Sequence, residues 1–230
     1  MATVENPVVE YTPEEVYGLP ALKTRGQMHP RTKRLVPEVI DKIRELDLIR
    51  PAYSYNVVDI EKRSLNGVRL KGGWEITSPL LIHRLAGASQ LVVGAITIGQ
   101  ALSEQVSSWF AVGDYSKAMI LDAIGNDALF RLCQLFEDIC ETEATDRGIL
   151  PSGSLGPGVD GFSLECQRTL LAIAEADTCG IRLLENDLML PVRSLSVVAG
   201  LGRRIKRWSQ AESCASCSSK DNCKLRRFDA

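Results

Sequence analysis

An antiparallel sheet flanked by helices, in the α+β class, is expected from the pattern of apolar residues along the chain. Residues 53–60 crowd aromatic and β-branched side chains, and Asn66-Gly67 followed by Val68-Arg69-Leu70 adds the turn and partner of a hairpin. Residues 91–98 are continuously apolar, which suits a central strand covered on both faces. Between and after these strands, apolar residues recur at helical spacing, and the two kinds of segment alternate irregularly.

Thr12-Pro13-Glu14-Glu15 opens a first helix: Thr12 is the N-cap, Pro13 occupies the first helical position and Glu15 closes a capping box. Gly18 and Pro20 keep it short. A better helix is expected to open at Pro37, with Val39, Ile40, Ile43 and Leu46 on one face, Glu38, Asp41, Lys42 and Glu45 outward, and Pro51 beyond its end. Ser78-Pro79 caps a short helix running to Leu85. Residues 99–110 carry Leu102, Val106, Trp109 and Phe110 on one side. After Gly113, Asp114 is placed to cap a long helix reaching about Cys140, with Ala118, Leu121, Gly125, Ala128, Leu132 and Leu135 on a single stripe. Small residues in that stripe permit close approach of a neighbouring backbone. Ser163 is a further N-cap, before a helix bearing Leu164, Leu170, Leu171 and Ile173. Residues 180–184 and 194–199 read as short strands separated by the turn Glu185-Asn186-Asp187.

With 230 residues, 45% hydrophobic and 24% charged, the chain is expected to be globular, and a single domain is the better starting assumption. A net charge of −2 provides no global field for nucleic acid or an anionic membrane. No apolar run approaches the roughly 18 residues needed to span a bilayer. The acidic start MATVENPVVEYTPEE lacks the basic and apolar regions of a signal peptide, so a cytoplasmic location is expected. Cys133, Cys140, Cys166 and Cys179 sit singly in apolar patterns, as buried thiols do in a reducing compartment.

Two segments invite a chemical reading. LGPGVDGFSLECQ, residues 155–167, runs a glycine-rich loop into a helix: it is either a cradle that lets backbone approach a ligand, or a tight turn. Its spacing matches neither a Walker loop nor the dinucleotide fingerprint. Near the C-terminus, Cys214, Cys217 and Cys223 place three thiols close enough to ligate zinc or an iron-sulfur cluster, although no fourth ligand is local and the surrounding residues are those of a flexible tail. The basic run Arg203-Arg204-Ile205-Lys206-Arg207-Trp208 is either a contact for an anionic partner or a solvated face. His29 and His83, the sole histidines, have no carboxylate or cysteine placed to build a catalytic group.

Three stretches in register, ITIGQALSEQVSSWFAVGDYSKAMILDAIGNDAL at 96–129, GPGVDGFSLECQRTLL at 156–171 and GIRLLENDLMLPVRSLSVVAGLG at 180–202, together resemble the activation domain of cobalamin-dependent methionine synthase. The small stand-alone relatives of that domain in anaerobic bacteria are the most similar, also in the pattern of Cys214, Cys217, Cys223 and Arg226. The resemblance runs from about residue 35 into the tail. It implies a twisted antiparallel sheet, with residues 1–34 as an N-terminal extension, 35–207 as the activation-domain fold and 208–230 as a cysteine-containing tail.

The resemblance also implies a task. The activation domain presents S-adenosylmethionine to a corrinoid whose cobalt has fallen to Co(II); a reductant supplies one electron and the methyl group traps the reduced cobalt. The implied binding residues are Gly156, Pro157, Gly158, Val159, Glu165, Pro191, Ser194 and Ser196. Val159 stands where the family has a tyrosine, and neither Ser154 nor Leu155 supplies its arginine, leaving Arg168, Arg182 or Arg193 as substitutes. Neither histidine lies in an Asp-x-His-x-x-Gly frame, since Gln27 and Leu81 occupy the aspartate positions, so cobalamin is expected only through a partner. The expectation is an accessory protein in corrinoid-dependent methyl transfer, working with a corrinoid protein or cobalamin-dependent methyltransferase and a redox protein. The alternatives are a metal- or iron-sulfur-bearing electron-transfer protein on the same fold, and a purely structural subunit of a methyltransferase complex.

Overall fold

A computed structural model describes residues 3–24, 26–159, 161–209 and 212. In chain order the strands are β1 (Thr3–Glu5), β2 (Lys23–Thr24), β3 (Gln27–Met28), β4 (Ala52–Arg63), β5 (Gly67–Leu70), β6 (Glu75–Thr77), β7 (Gln90–Thr97), β8 (Leu150–Leu155), β9 (Arg182–Leu183), β10 (Met189–Leu190) and β11 (Ser194–Gly202). The helices are α1 (Pro13–Gly18), α2 (Pro30–Glu45), α3 (Pro79–Arg84), α4 (Ala101–Ala111), α5 (Tyr115–Asp146) and α6 (Cys166–Ile173). The main sheet has the order β6-β5-β4-β7-β11-β8, with β1 added on β4, and its pairings are antiparallel. The α+β class and the central place of the 91–98 segment are thus as expected.

Alternation along the strands gives the sheet two different faces. Tyr53, Val92, Ile96, Val197, Ala199 and Leu201 pack on one face with α2, α4 and α5. Leu91, Val93, Ala95 and Val198 pack on the other with α3 and α6. Gly94 belongs to the first face, and its missing side chain is filled from α5: a Cβ there would lie 2.5 Å from Cε2 of Phe136.

The capping box of α1 forms, with Thr12 N–H donating to Glu15 Oε2 at 2.8 Å and Glu15 N–H to Thr12 Oγ1 at 3.4 Å. The first of these bonds holds the Glu15 carboxyl below its ordinary value. Upstream of it, Tyr11 is buried against α5: its hydroxyl donates to Asp127 Oδ2 at 2.8 Å, and Arg131 lies 4.2 Å over its ring. Arg131 also reaches Asp127 and Glu15, so α1 is fastened to the middle of α5.

Several boundaries move. Pro37 does not open α2; the helix begins at Pro30, where the His29 Nδ1 accepts the Arg31 N–H at 3.2 Å, and Pro37 lies inside it. Val36, Val39, Ile40 and Ile43 form its buried stripe, which offsets the backbone hydrogen bond that Pro37 withholds from Lys33. Leu46 lies past the helix and is 39% exposed. The long helix α5 continues to Asp146, and Asp114 flanks its start without a side-chain capping bond. The turn at 185–187 joins β9 to β10 in a small hairpin, and β11 follows separately. Strand β8 forms from residues to which the apolar pattern assigns no element.

The expected buried thiols are present: Cys140 and Cys166 are buried, Cys133 and Cys179 half-buried, and all are free. Burial, with Glu137 as the lesser cause, pushes the Cys133 thiol up to about 12, and burial also raises Cys140. A thiol whose value is raised on folding stabilises the fold fully below its unfolded value, about 8.5, and that contribution is lost as pH rises toward 12. Iodoacetamide at pH 8 is therefore expected to leave Cys133 and Cys140 unmodified in the native protein, as checked by peptide mapping, and the urea midpoint to fall as pH is raised above about 9. Rapid native alkylation of either residue would contradict this.

Candidate functional site

The glycine-rich loop leaves the edge of the sheet at Leu155 and folds back on itself. Gly158 N–H donates to Phe162 O at 2.8 Å and Phe162 N–H to Val159 O at 2.9 Å. Gly158 and Gly161 have φ of 98° and 82°, where a side chain would be strained. Phe162 is fully buried in the core of the second face. The carbonyl of Gly161 accepts from Ser78 Oγ at 2.7 Å and from Leu80 N–H at 3.2 Å, tying the loop to the start of α3. The segment is a tight turn, and its base is rigid. Gly156 backs directly onto β11, since a Cβ there would stand 3.1 Å from Ser196 O.

Ser163 does not start the following helix. Its carbonyl and Oγ accept from the Cys166 and Glu165 N–H groups in a turn, and α6 begins at Cys166. Leu164 is consequently turned out of the core, 47% exposed, and Glu165 is exposed. Val159 also points to solvent. Gln167 is buried and donates to Asp187 O at 2.7 Å, which anchors the β9-β10 turn to α6.

On β11 the two serines face the same side of the sheet and have different roles. Ser194 Oγ donates to Pro191 O at 2.7 Å and lies 2.9 Å from Thr97 Oγ1, whose hydroxyl in turn reaches Arg193 O at 3.2 Å. This hydroxyl fastens the crossing from β10 to β11. Ser196 is 3% exposed, and its Oγ has no hydrogen-bond partner among the described residues. An unpaired buried hydroxyl costs stability unless something meets it. Ser196 thus carries a buried polar group without a partner among the described residues, on the residue whose backbone carbonyl abuts Gly156.

The cationic groups are unequally available. Arg193, on the opposite face from the serines, donates from Nη1 to Ser103 Oγ at 2.7 Å and from Nη2 to Asp122. Arg168 pairs with Asp187 at 3.2 Å. Arg182, exposed on β9 and paired in register with Leu190, has no carboxylate partner among the described residues. Ser154 donates to Glu137 at 3.0 Å. The structure therefore brings Gly156 and Ser196 together, and Pro191 and Ser194 together. It leaves Glu165 and Val159 at the solvent edge.

Thr97 is a polar participant with no place in the sequence-based expectations; the signal was available in Thr97 ending an otherwise apolar strand. His29 caps α2 and His83 is exposed on α3. Cys214, Cys217, Cys223 and Arg226 lie outside the described residues. Among the described residues no cluster of three or more histidine, cysteine or carboxylate side chains is arranged to hold a metal ion. No helix among them is long and apolar enough to cross a membrane.

No known family profile matches the chain, and no curated protein matches it. A solved structure does: the crystal structure of the MetH reactivation domain bound to AdoHcy is similar over 93% of this chain and 85% of that one, with a TM-score of 0.60 and 14% sequence identity. The α+β architecture expected from the sequence is accordingly the fold of the MetH reactivation domain.

Proposed function

We propose that this chain is an accessory protein of corrinoid-dependent methyl transfer that binds S-adenosylmethionine or its product beside the loop at residues 156–159 and serves a corrinoid-bearing partner. One observation carries the reading: in a fold shared with a domain crystallised with AdoHcy, Ser196, whose backbone carbonyl abuts Gly156 of the glycine-rich loop, has a buried hydroxyl with no partner among the described residues. Gly156, Pro157, Gly158 and Val159 provide a backbone edge without large side chains at its base. Ser196 provides a hydrogen bond, and Pro191 and Ser194 fix the path of the chain into β11. Arg182, on the β9-β10 hairpin and without a carboxylate partner among the described residues, is the candidate to receive the ligand's carboxylate in place of an arginine on the loop itself.

The ligand would supply a methyl group and the partner the cobalt that accepts it. The share of this chain is to bind and orient. Val159, Leu164, Leu188 and Val192, between 47% and 65% exposed, stand on the loop and on the segments around the β9-β10 hairpin. Exposed apolar residues on the same elements as the site support a protein partner there.

The two serines give a test. Ser194→Ala removes the hydrogen bonds to the Pro191 carbonyl and to Thr97 Oγ1, and is expected to cost about 1–3 kcal/mol of stability. Ser196→Ala removes a hydroxyl that has no bond to lose among the described residues, so the urea midpoint should hold or rise. Titration calorimetry with AdoHcy should nevertheless show several-fold weaker binding, the loss of one hydrogen bond of about 0.5–1.5 kcal/mol. Failure of S-adenosylmethionine and AdoHcy to raise the melting temperature at millimolar concentration would sink the cofactor part of this reading.

A further inference from the structure

The basic run at residues 203–208 is distributed by the fold into two unlike parts. Arg207 is spent on Glu141 of α5. Arg203 and Arg204, in the turn that follows β11, have no carboxylate partner among the described residues. With Arg147 from the end of α5 and Gly87, Ser89 and Gln90 from the approach to β7, they line a cleft of about 650 Å³. That volume falls within the range of small-molecule sites, roughly 300–1,000 Å³.

The base of this cleft is held firmly. Gly87 has φ of 88°, and a Cβ on it would lie 2.7 Å from Arg204 O. A Cβ on Gly202 would lie 2.1 Å from Gly87 O. The two glycines let the turn carrying both arginines pack backbone to backbone against the residues before β7. Ser89 completes the seam, with its N–H on Leu201 O at 2.7 Å. The guanidinium groups therefore project from a fixed turn rather than from a loose tail.

Charge decides what such a cleft would take. Arg147 is neutralised by Glu143, which also accepts from Tyr55 at 2.8 Å. Asp59, bonded to Gln90 at 2.7 Å, is answered by Lys71 at 3.8 Å. The balance is the two positive charges of Arg203 and Arg204. The negative end of the α5 dipole opposes an anion by about half a charge, which leaves a clear excess. A phosphomonoester carries about −1.5 to −2 charges at neutral pH, and planar guanidiniums bind its oxygens in pairs. A phosphate ion would fill only part of 650 Å³, and Ile149 gives the remainder an apolar wall.

We infer that this cleft, at the opposite end of β11 from Ser196, binds the phosphate group of a phosphorylated small molecule. The two sites are separated by most of a strand, about 25 Å at 3.3 Å per residue, so the inference is independent of the proposed methyl-transfer role. The chain's net charge of −2 argues for a local, small anion rather than a polyanion.

Titration of the full chain with AMP, ribose 5-phosphate and inorganic phosphate at low salt is the test. Saturable binding of one equivalent is expected for at least one of the two esters, tighter than inorganic phosphate and weakened at least tenfold in Arg203→Gln/Arg204→Gln. Both side chains are exposed, so the double variant should fold, as circular dichroism will check. Ser196→Ala should leave this binding unchanged, which separates it from occupation of the loop site by the adenosine group. No binding of either ester at about 10 mM, full binding by the double variant, or binding of anionic vesicles or oligonucleotides without binding of either ester would overturn the inference.

Discussion

Phe162→Ala is expected to lower stability by about 3–5 kcal/mol, the usual cost of emptying a fully buried aromatic site, and to abolish any response to AdoHcy. The ring is inaccessible to solvent and packs in the core under the second face of the sheet. Its own backbone closes the glycine-rich turn through bonds to Gly158 and Val159 at 2.8 and 2.9 Å. Loss of the ring would remove the weight that holds this turn against α3, so packing and loop geometry should fail together. Phe162→Leu retains most of the apolar contact and should keep most of the stability. Urea unfolding of the two variants decides the matter: a change below about 1 kcal/mol for the alanine variant would show that the loop is not anchored this way.

Gly94→Ala should be the most damaging single methyl group added to the central strand, at about 1–3 kcal/mol. The new Cβ would lie 2.5 and 2.9 Å from two ring carbons of Phe136, and the strand cannot retreat because β4 and β11 pair with it on both sides. Phe136→Leu alone should also destabilise. Combined with Gly94→Ala it makes room for the methyl group, so the double variant should be more stable than the sum of the single losses predicts. Simple additivity in urea unfolding would mean that the ring moves aside without resistance, contrary to the packing described.

The sheet was largely legible because its central elements carry their pattern locally: the apolar run of β7, the aromatic β4 and the Asn66-Gly67 turn need no distant information. Strand β8 was not. Pro151, Gly153 and Ser154 are loop punctuation in sequence, and they extend only because β11 offers an edge and Trp208 needs the space at Gly153, where a Cβ would stand 2.4 Å from its Nε1. Pro37 misled for the same reason, since burial of Val36 and Val39 outweighs a rule that speaks only of neighbours along the chain. At the site, glycine content identified a place of close backbone approach. It could not tell Ser194 from Ser196, because what distinguishes them is whether a third residue, distant in sequence, uses the hydroxyl. The same limit applies to the arginines, as residue type marked three candidates and partners removed two of them.

The hydrogen bond from Tyr11 to Asp127 spans 116 residues. Tyr11, Val16 and Leu19 are buried in the core that α5 completes, yet a ribosome making about 5–20 residues per second delivers that helix only several seconds later. During synthesis the opening segment must wait, its apolar face uncovered, until the middle of α5 has emerged. Tyr11, Val16 and Leu19, made well before α5, are among the last residues to find their place, and the nascent chain needs protection during that interval.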